Sequence, residues 1–246
     1  MTLTHSTLYT LGSVLLTSSV ALVCLVLLGW DEVKLKRRIP LMIAVTVGVL
    51  LGEAVFHLLP EALRKGIPVA TTMGLAVLGI GFSYGIELLC KGFLPESKFA
   101  PVARISLIAE SVHNGIDGAI IAASYIAGIR VGLIATVAIL LHELPHELGN
   151  FSVLVHGGYE RSKALLLNCL SASVAFIGAA TVILAGKELS SLATYVLPAS
   201  AGCFIYISAI GLLPDLLKDV DTPQKLRVGY FAAGGAAIML VVALAG

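Results

Sequence analysis

The sequence is short of charge. Only 13% of its 246 residues are Asp, Glu, Lys or Arg, where soluble domains carry roughly 25%. So few charges cannot cover a water-exposed surface, which excludes a soluble globular domain and leaves an integral membrane protein. There is no charge excess either. A net charge of +1 offers no basic face for nucleic acid and points to no acidic partner. The four cysteines, Cys24, Cys90, Cys169 and Cys203, show no C-x-x-C spacing. That argues against a disulfide framework or a thiolate metal site, and they read as small core residues. The N-terminal segment lacks a basic leader and an A-x-A cleavage signal, so it reads as a spanning helix and not as a signal peptide.

What is present is apolar length. A bilayer core needs about 20 mostly apolar residues per helix. Eight such segments are read, at approximately 7–29, 40–61, 68–91, 103–127, 130–156, 162–186, 191–216 and 226–245. The breaks between them are short, polar or rich in Pro and Gly, and none is a long His-rich loop. The expectation is an all-α, multi-pass protein with a single transmembrane domain over 1–246, in the lipid bilayer. Eight spans divide the 16 Lys and Arg into two sets. Four (Arg64, Lys65, Arg130, Lys187) fall on one side and the other twelve on the opposite side. Cytoplasmic loops carry the excess, so both termini are expected outside the cytoplasm. The membrane is expected to be the plasma (inner) membrane in a prokaryote.

Ionisable groups at membrane depth are costly, by estimates from ~3 to above 10 kcal/mol each. Here they are concentrated. The fourth segment carries "AESVHNGIDGA", with His113 and Asp117 one turn apart, Asn114 beside them, and Glu110 about a turn toward the cytoplasm. The fifth carries "LLHELPHELGNF". His142 and His146 form one ridge and Glu143 and Glu147 the next, about 100° around the helix. Pro145 lacks an N–H, and its ring crowds the Leu141 carbonyl. Such a break is tolerated in lipid only where another group takes up the freed carbonyl. Counted from the segment ends, His113 and His142 share one depth, where imidazole and carboxylate groups suit Zn²⁺, Fe²⁺ or Mn²⁺. The second segment adds a stripe of Glu53, His57 and Glu61, a candidate access route for cations. His156 at the inner end of the fifth segment reads as a release-side ligand or an interfacial histidine.

The letters H-E-L-P-H also match a zinc-protease pattern, in which Glu143 would be the general base between His142 and His146. Pro145 distorts the helix that must aim both imidazoles. A third ligand is needed, and the loose candidate, Asp215, lies near the cytoplasmic end. The pattern also leaves the fourth-segment cluster without a role. The intramembrane metalloprotease is therefore the alternative reading.

"HNGIDG" (113–118) and "HELPHELGNF" (142–151) closely resemble the fourth- and fifth-helix signatures of ZIP (Zrt/Irt-like) metal transporters, in the branch with H-N-x-x-D-G and H-E-x-P-H-E. "GEAVFHLLPEA" resembles the second-helix motif, and "KALLLNCLSAS" and "SAGCFIYISAIGLLPDL" resemble helices 6 and 7. The resemblance implies eight helices in a 3+2+3 arrangement, with helices 4 and 5 lining the path. It implies transport of divalent metal into the cytoplasm, Zn²⁺ first and also Fe²⁺, Mn²⁺ or Cd²⁺, often by a homodimer. It implies no enzyme activity and no required cofactor, the metal being the substrate. Carried over by position, one site would use His113, Asp117, His142 and His146. A neighbouring site would use Asn114, Asp117, Glu143 and His146, with Glu147 close by. Glu110 stands where the branch usually has an acid. The chain departs from the pattern at Asn150, where Asp is usual, and at Ile210-Gly211, in place of a Val-Asp-like pair. Gly115 replaces a common aromatic, and Ala175 stands where two-metal relatives offer a Glu. Asn168, Ser171 and Ser173 are the polar residues nearby.

Overall fold

The computed structural model describes residues 3–93, 99–185, 187–218 and 222–245, all helix and short connections, with no strand among them. The Cys90 side chain and Lys98 lie outside this described part. Eight helices follow in chain order: α1 (3–28), α2 (32–64), α3 (Val69–Phe93), α4 (Pro101–Ala127), α5 (Ile129–His156), α6 (Arg161–Ala185), α7 (187–217) and α8 (Thr222–Ala245). Seven are long and apolar enough to cross a membrane. The other, α4, has 27 residues, about 40 Å at 1.5 Å each. It is long enough but too polar along its length. Its polar residues Glu110, His113, Asn114 and Asp117 are all buried inside the bundle.

Three helices depart from regular α geometry. α1 tightens to 3-10 over Ser19–Cys24, while α2 and α7 widen to π-turns over Glu53–Leu58 and Tyr206–Leu212. Each π-turn runs into a Leu-Leu-Pro, at 58–60 and 212–214. Pro60 and Pro214 cannot donate, and their rings crowd the carbonyls of Phe56 and Ile210 four residues back. Widening the turn accommodates that conflict without ending the helix. α2 also begins earlier than its apolar run, at Glu32, and stays helical through Pro40. The carbonyl that Pro40 leaves free belongs to Lys36, outside the apolar span Arg38–Arg64, where water can solvate it.

Two helices end alike. After α2, Gly66 takes φ +87° while Ile67 N–H bonds the Ala62 carbonyl at 3.1 Å. After α5, Gly158 takes φ +98° while Tyr159 N–H bonds the Leu154 carbonyl at 3.1 Å. A left-handed glycine with that six-residue closure is how a helix stops sharply and satisfies its last carbonyls. α4 and α5 are instead joined through the single residue Gly128, which makes them a tight antiparallel hairpin.

Small residues bring the helices into pairs. α4 packs along α6, α2 along α8 and α3 along α7. A Cβ on Gly118 or Gly178 would lie 1.8 Å from a backbone carbonyl of the α4–α6 partner, and one on Gly48 equally close to α8. Gly79 and Gly202 bring α3 and α7 almost as close. Without a hydrophobic drive between helices in lipid, such backbone approach supplies the van der Waals and Cα–H···O contacts that hold them. The α4–α5 hairpin also meets α2 and α7, which sets its buried polar faces against His57 in the π-turn of α2 and against Phe204 of α7.

Candidate metal centre

α4 supplies Glu110, His113, Asn114 and Asp117 from one buried face; α5 supplies His142, Glu143, His146 and Glu147; α2 supplies Glu53 from its π-turn. None of these nine is more than 5% exposed. The i, i+4 spacing stacks the side chains, and the antiparallel hairpin brings the two stacks together.

Three groups of side chains have ligand atoms within 4.8 Å of one another: Glu53, His57 and His142; His113, Asp117, His142 and Glu143; and Glu110, Glu143 and Glu147. In the four-membered group His142 Nε2 lies 3.1 Å from Asp117 Oδ2, and His113 Nε2 lies 3.8 Å from the same oxygen. Glu143 Oε1 is 3.7 Å from His113 Nε2 and 3.9 Å from His142 Nε2. In the first group His57 Nδ1 is 2.6 Å from Glu53 Oε1, and the His57 ring meets that of His142 edge-on at 5.4 Å. The groups are linked, because His142 belongs to the first two and Glu143 to the last two.

The donors fit a divalent cation. Glu53 Oε2, Glu110 Oε1, both nitrogens of His113 and of His146, His142 Nδ1, Glu143 Oε1 and Glu147 Oε1 are buried with no hydrogen-bond partner. Native proteins pair nearly all such atoms, because an unpaired one costs about 1–3 kcal/mol and more when charged. A cation coordinated by imidazole and carboxylate would remove that cost, and the mixture of N and O donors suits zinc and its neighbours.

Other residues singled out in the sequence fall differently. His146 stacks on His113 with centroids 5.0 Å apart, leans on Phe204, and turns Nδ1 toward Glu110 Oε2 at 3.6 Å. It thus stands beside the four-membered group while Glu143 stands within it. Asn114 donates to the Glu110 carbonyl of its own helix at 3.0 Å. Glu61 pairs with Arg64 at 3.0 Å and Lys65 at 3.6 Å and joins none of the groups. His156 is exposed at the end of α5. Asp215, the third ligand a protease would need, is in no ligand group among the described residues. Ala175 packs its backbone on Gly118, next to Asp117, so the site has a methyl where two-metal relatives are expected to have a carboxylate.

A hydrogen-bonded chain lies behind Glu147. Asn168 Nδ2 donates to the Glu147 carboxylate and, at 3.1 Å, to its carbonyl. Asn150 Nδ2 donates to Asn168 Oδ1 at 2.7 Å, and Ser106 Oγ donates to Asn150 Oδ1 at 3.0 Å. Cys24 Sγ, in the 3-10 turn of α1, reaches the Glu147 carbonyl at 3.5 Å. Sequence reasoning noted Asn150 and Asn168 but missed Cys24 and Ser106. The available signal was a small polar residue in an apolar helix, which is too common to single either out.

The profile of the family described as ZIP Zinc transporter matches residues 93–243. Zinc transporter ZIP13 of Pongo abelii is 30% identical over 217 residues, 82% of this chain and 66% of that protein. Zinc transporter zipt-7.2 of Caenorhabditis elegans is 34% identical over 154 residues, 61% of this chain and 33% of its own length. Zinc transporter SLC39A7 of Rattus norvegicus is 37% identical over 146 residues, 56% of this chain and 31% of its own. The chain thus spans just under two thirds of the first relative and about a third of the other two. These relatives are named as transporters, which gives the protease reading no support. With more than half of its length matched by the family profile, the chain belongs to the ZIP zinc transporter family.

Proposed function

We propose that this protein carries divalent transition-metal ions, zinc first and iron, manganese or cadmium as further cargo, across the membrane into the cytoplasm. The observation that supports this reading most is the sharing of ligands among the three buried groups. An ion held by Glu53, His57 and His142 can pass to His113, Asp117, His142 and Glu143 without releasing His142. From there it can pass to Glu110, Glu143 and Glu147 without releasing Glu143. Each step exchanges some ligands while keeping one, so the ion is never bare in a low-dielectric interior. Each group has three or four protein ligands and no thiolate, which favours moderate affinity over the closed tetrahedral sites that trap structural zinc.

In this reading metal enters from the α2 side. His57 is the least buried ligand, its side chain 28% exposed. His113, Asp117, His142 and Glu143 form the central station, with His146 and Asn114 beside it. Glu110 and Glu147 receive the ion on the cytoplasmic side. The eight helices form one transmembrane unit in the bilayer, three before and three after the site-bearing hairpin, with both termini outside. Movement of that hairpin against the other helices would alternate access.

The test is zinc uptake into proteoliposomes by wild type, His142→Ala and Asp117→Ala. Wild type should take up zinc, and each variant should lose at least tenfold in initial rate. A wild type without uptake of zinc, iron, manganese or cadmium, or variants that match it, would refute the reading.

A further inference from the structure

Away from the metal groups, a cavity of about 290 Å³ lies where α3, α4 and α7 meet. It is at the small end of ligand pockets, which run from roughly 300 to 1,000 Å³. Its wall is apolar except at three places: Ser83 on α3, and Ser200 and Cys203 on α7. On its outer side, Leu78, Phe82, Ile108 and Val112 line it while remaining 41–66% exposed at membrane depth. The cavity therefore opens sideways, toward acyl chains and away from either aqueous face.

The two serines are what an empty gap between helices does not explain. Ser83 is fully buried and Ser200 is 4% exposed; the Ser200 hydroxyl has no hydrogen-bond partner, and that of Ser83 meets nothing stronger than a thiol. Elsewhere in the bundle the hydroxyls of Thr46, Ser111, Ser152 and Ser208 bond the carbonyl one turn back. The neighbour of Ser83 is the Cys203 thiol. That is a weak partner, and it is already turned to the Gly79 carbonyl at 3.4 Å. One buried hydroxyl left open, and a second with only a thiol beside it, favour a hydrogen-bonding occupant in this apolar chamber, because an unmet hydroxyl costs free energy. An acyl chain would fill the volume and leave both without an oxygen or nitrogen partner. Water would meet them but find few other polar partners.

We propose that this cavity binds a membrane-dissolved amphiphile with a slim aliphatic body and one hydroxyl or carbonyl group that bonds Ser83 and Ser200. The body would lie against Ala109 and Val112, on either side of the α4 segment that carries Glu110. An occupant would therefore wedge the helix bearing the metal ligands against the α3–α7 pair.

A diazirine-bearing octanol, photoactivated with the full chain in lipid nanodiscs and mapped by mass spectrometry, tests this. Adducts should concentrate on the cavity-lining residues of α3, α4 and α7. Excess octanol should reduce them at least fivefold, whereas octane of equal chain length should not. The Ser83→Ala/Ser200→Ala double variant should lose most of the labelling. Adducts spread evenly over lipid-facing positions such as Leu15, Leu184 and Tyr230 would overturn the site. Equal competition by octane would show that the cavity takes plain acyl chains and would overturn the hydrogen-bonding occupant. That competition uses wild type alone and decides the matter even if the double variant fails to fold.

Discussion

At the scale of single residues, the clustered side chains need something to hold each in place when no metal is bound. Glu147 has an answer in Asn168, which donates to both its carboxylate and its carbonyl. Removing that donor leaves a buried carboxylate oxygen unpaired, at a cost of about 1–3 kcal/mol. Asn168→Ala should therefore lower the thermal midpoint in detergent without metal, and saturating zinc should recover part of the loss. A midpoint unchanged in metal-free buffer would show that the contact holds nothing. The clustering of these side chains was legible in the sequence, because His and Glu four apart in an apolar run have few uses that are not functional. The Glu53–His57 pair was legible as a stripe, but its meeting with His142 was not. That contact depends on the π-turn and on which helix faces which. Cys24 and Ser106 were illegible for a simpler reason: they act through neutral hydrogen bonds across helices, which leave no periodic trace.

At the scale of elements, the helices were visible as apolar runs, but their irregular turns were not. A Leu-Leu-Pro reads equally as a kink, a stop or a widened turn, and the choice depends on packing that the local sequence does not contain. At Pro40 the helix runs straight on, since a carbonyl freed in water costs little. The glycines carry more of the architecture than the periodicity revealed. Gly178 meets the Gly115 carbonyl so closely that even a methyl group cannot fit, whereas Gly81 has nothing within 4 Å. Gly178→Ala should push α6 from α4 and cost at least the 1–3 kcal/mol of ordinary overpacking. Gly81→Ala should change stability by no more than a few tenths of a kcal/mol or raise it slightly, glycine being a poor helix former. Thermal unfolding of the two variants side by side separates backbone approach from the general effect of adding a methyl.

At the scale of the whole molecule, crossing number decides sidedness. Seven helices qualify as spans on length and composition, and seven crossings would put the termini on opposite sides. If α4 crosses as well, in company rather than on its own hydrophobicity, the count is even. Tags at the two termini should then react together with an impermeant reagent added outside, and both should be silent in inverted vesicles. One tag on each side would mean that α4 does not cross. The pairing of α4 with α6, α2 with α8 and α3 with α7 was beyond the sequence reading. Order along the chain gives three, two and three, and says nothing of which faces meet.

In the proposed function, the residues shared between the three groups would also set how many ions they can hold. An imidazole serves one ion at a time, so His142 cannot complete the first and second groups together. A carboxylate has two oxygens and can lie between two ions, so Glu143 can serve the second and third groups at once. The first and third groups have no residue in common. Among the described residues, every filling that the proposal permits therefore stops at two. Equilibrium zinc binding to the purified chain should level off at two ions per polypeptide, and at one in a Glu110→Gln/Glu147→Gln variant. In the proposed transport His142 would be a turnstile that one ion must leave before the next arrives, and Glu143 a threshold on which two can stand.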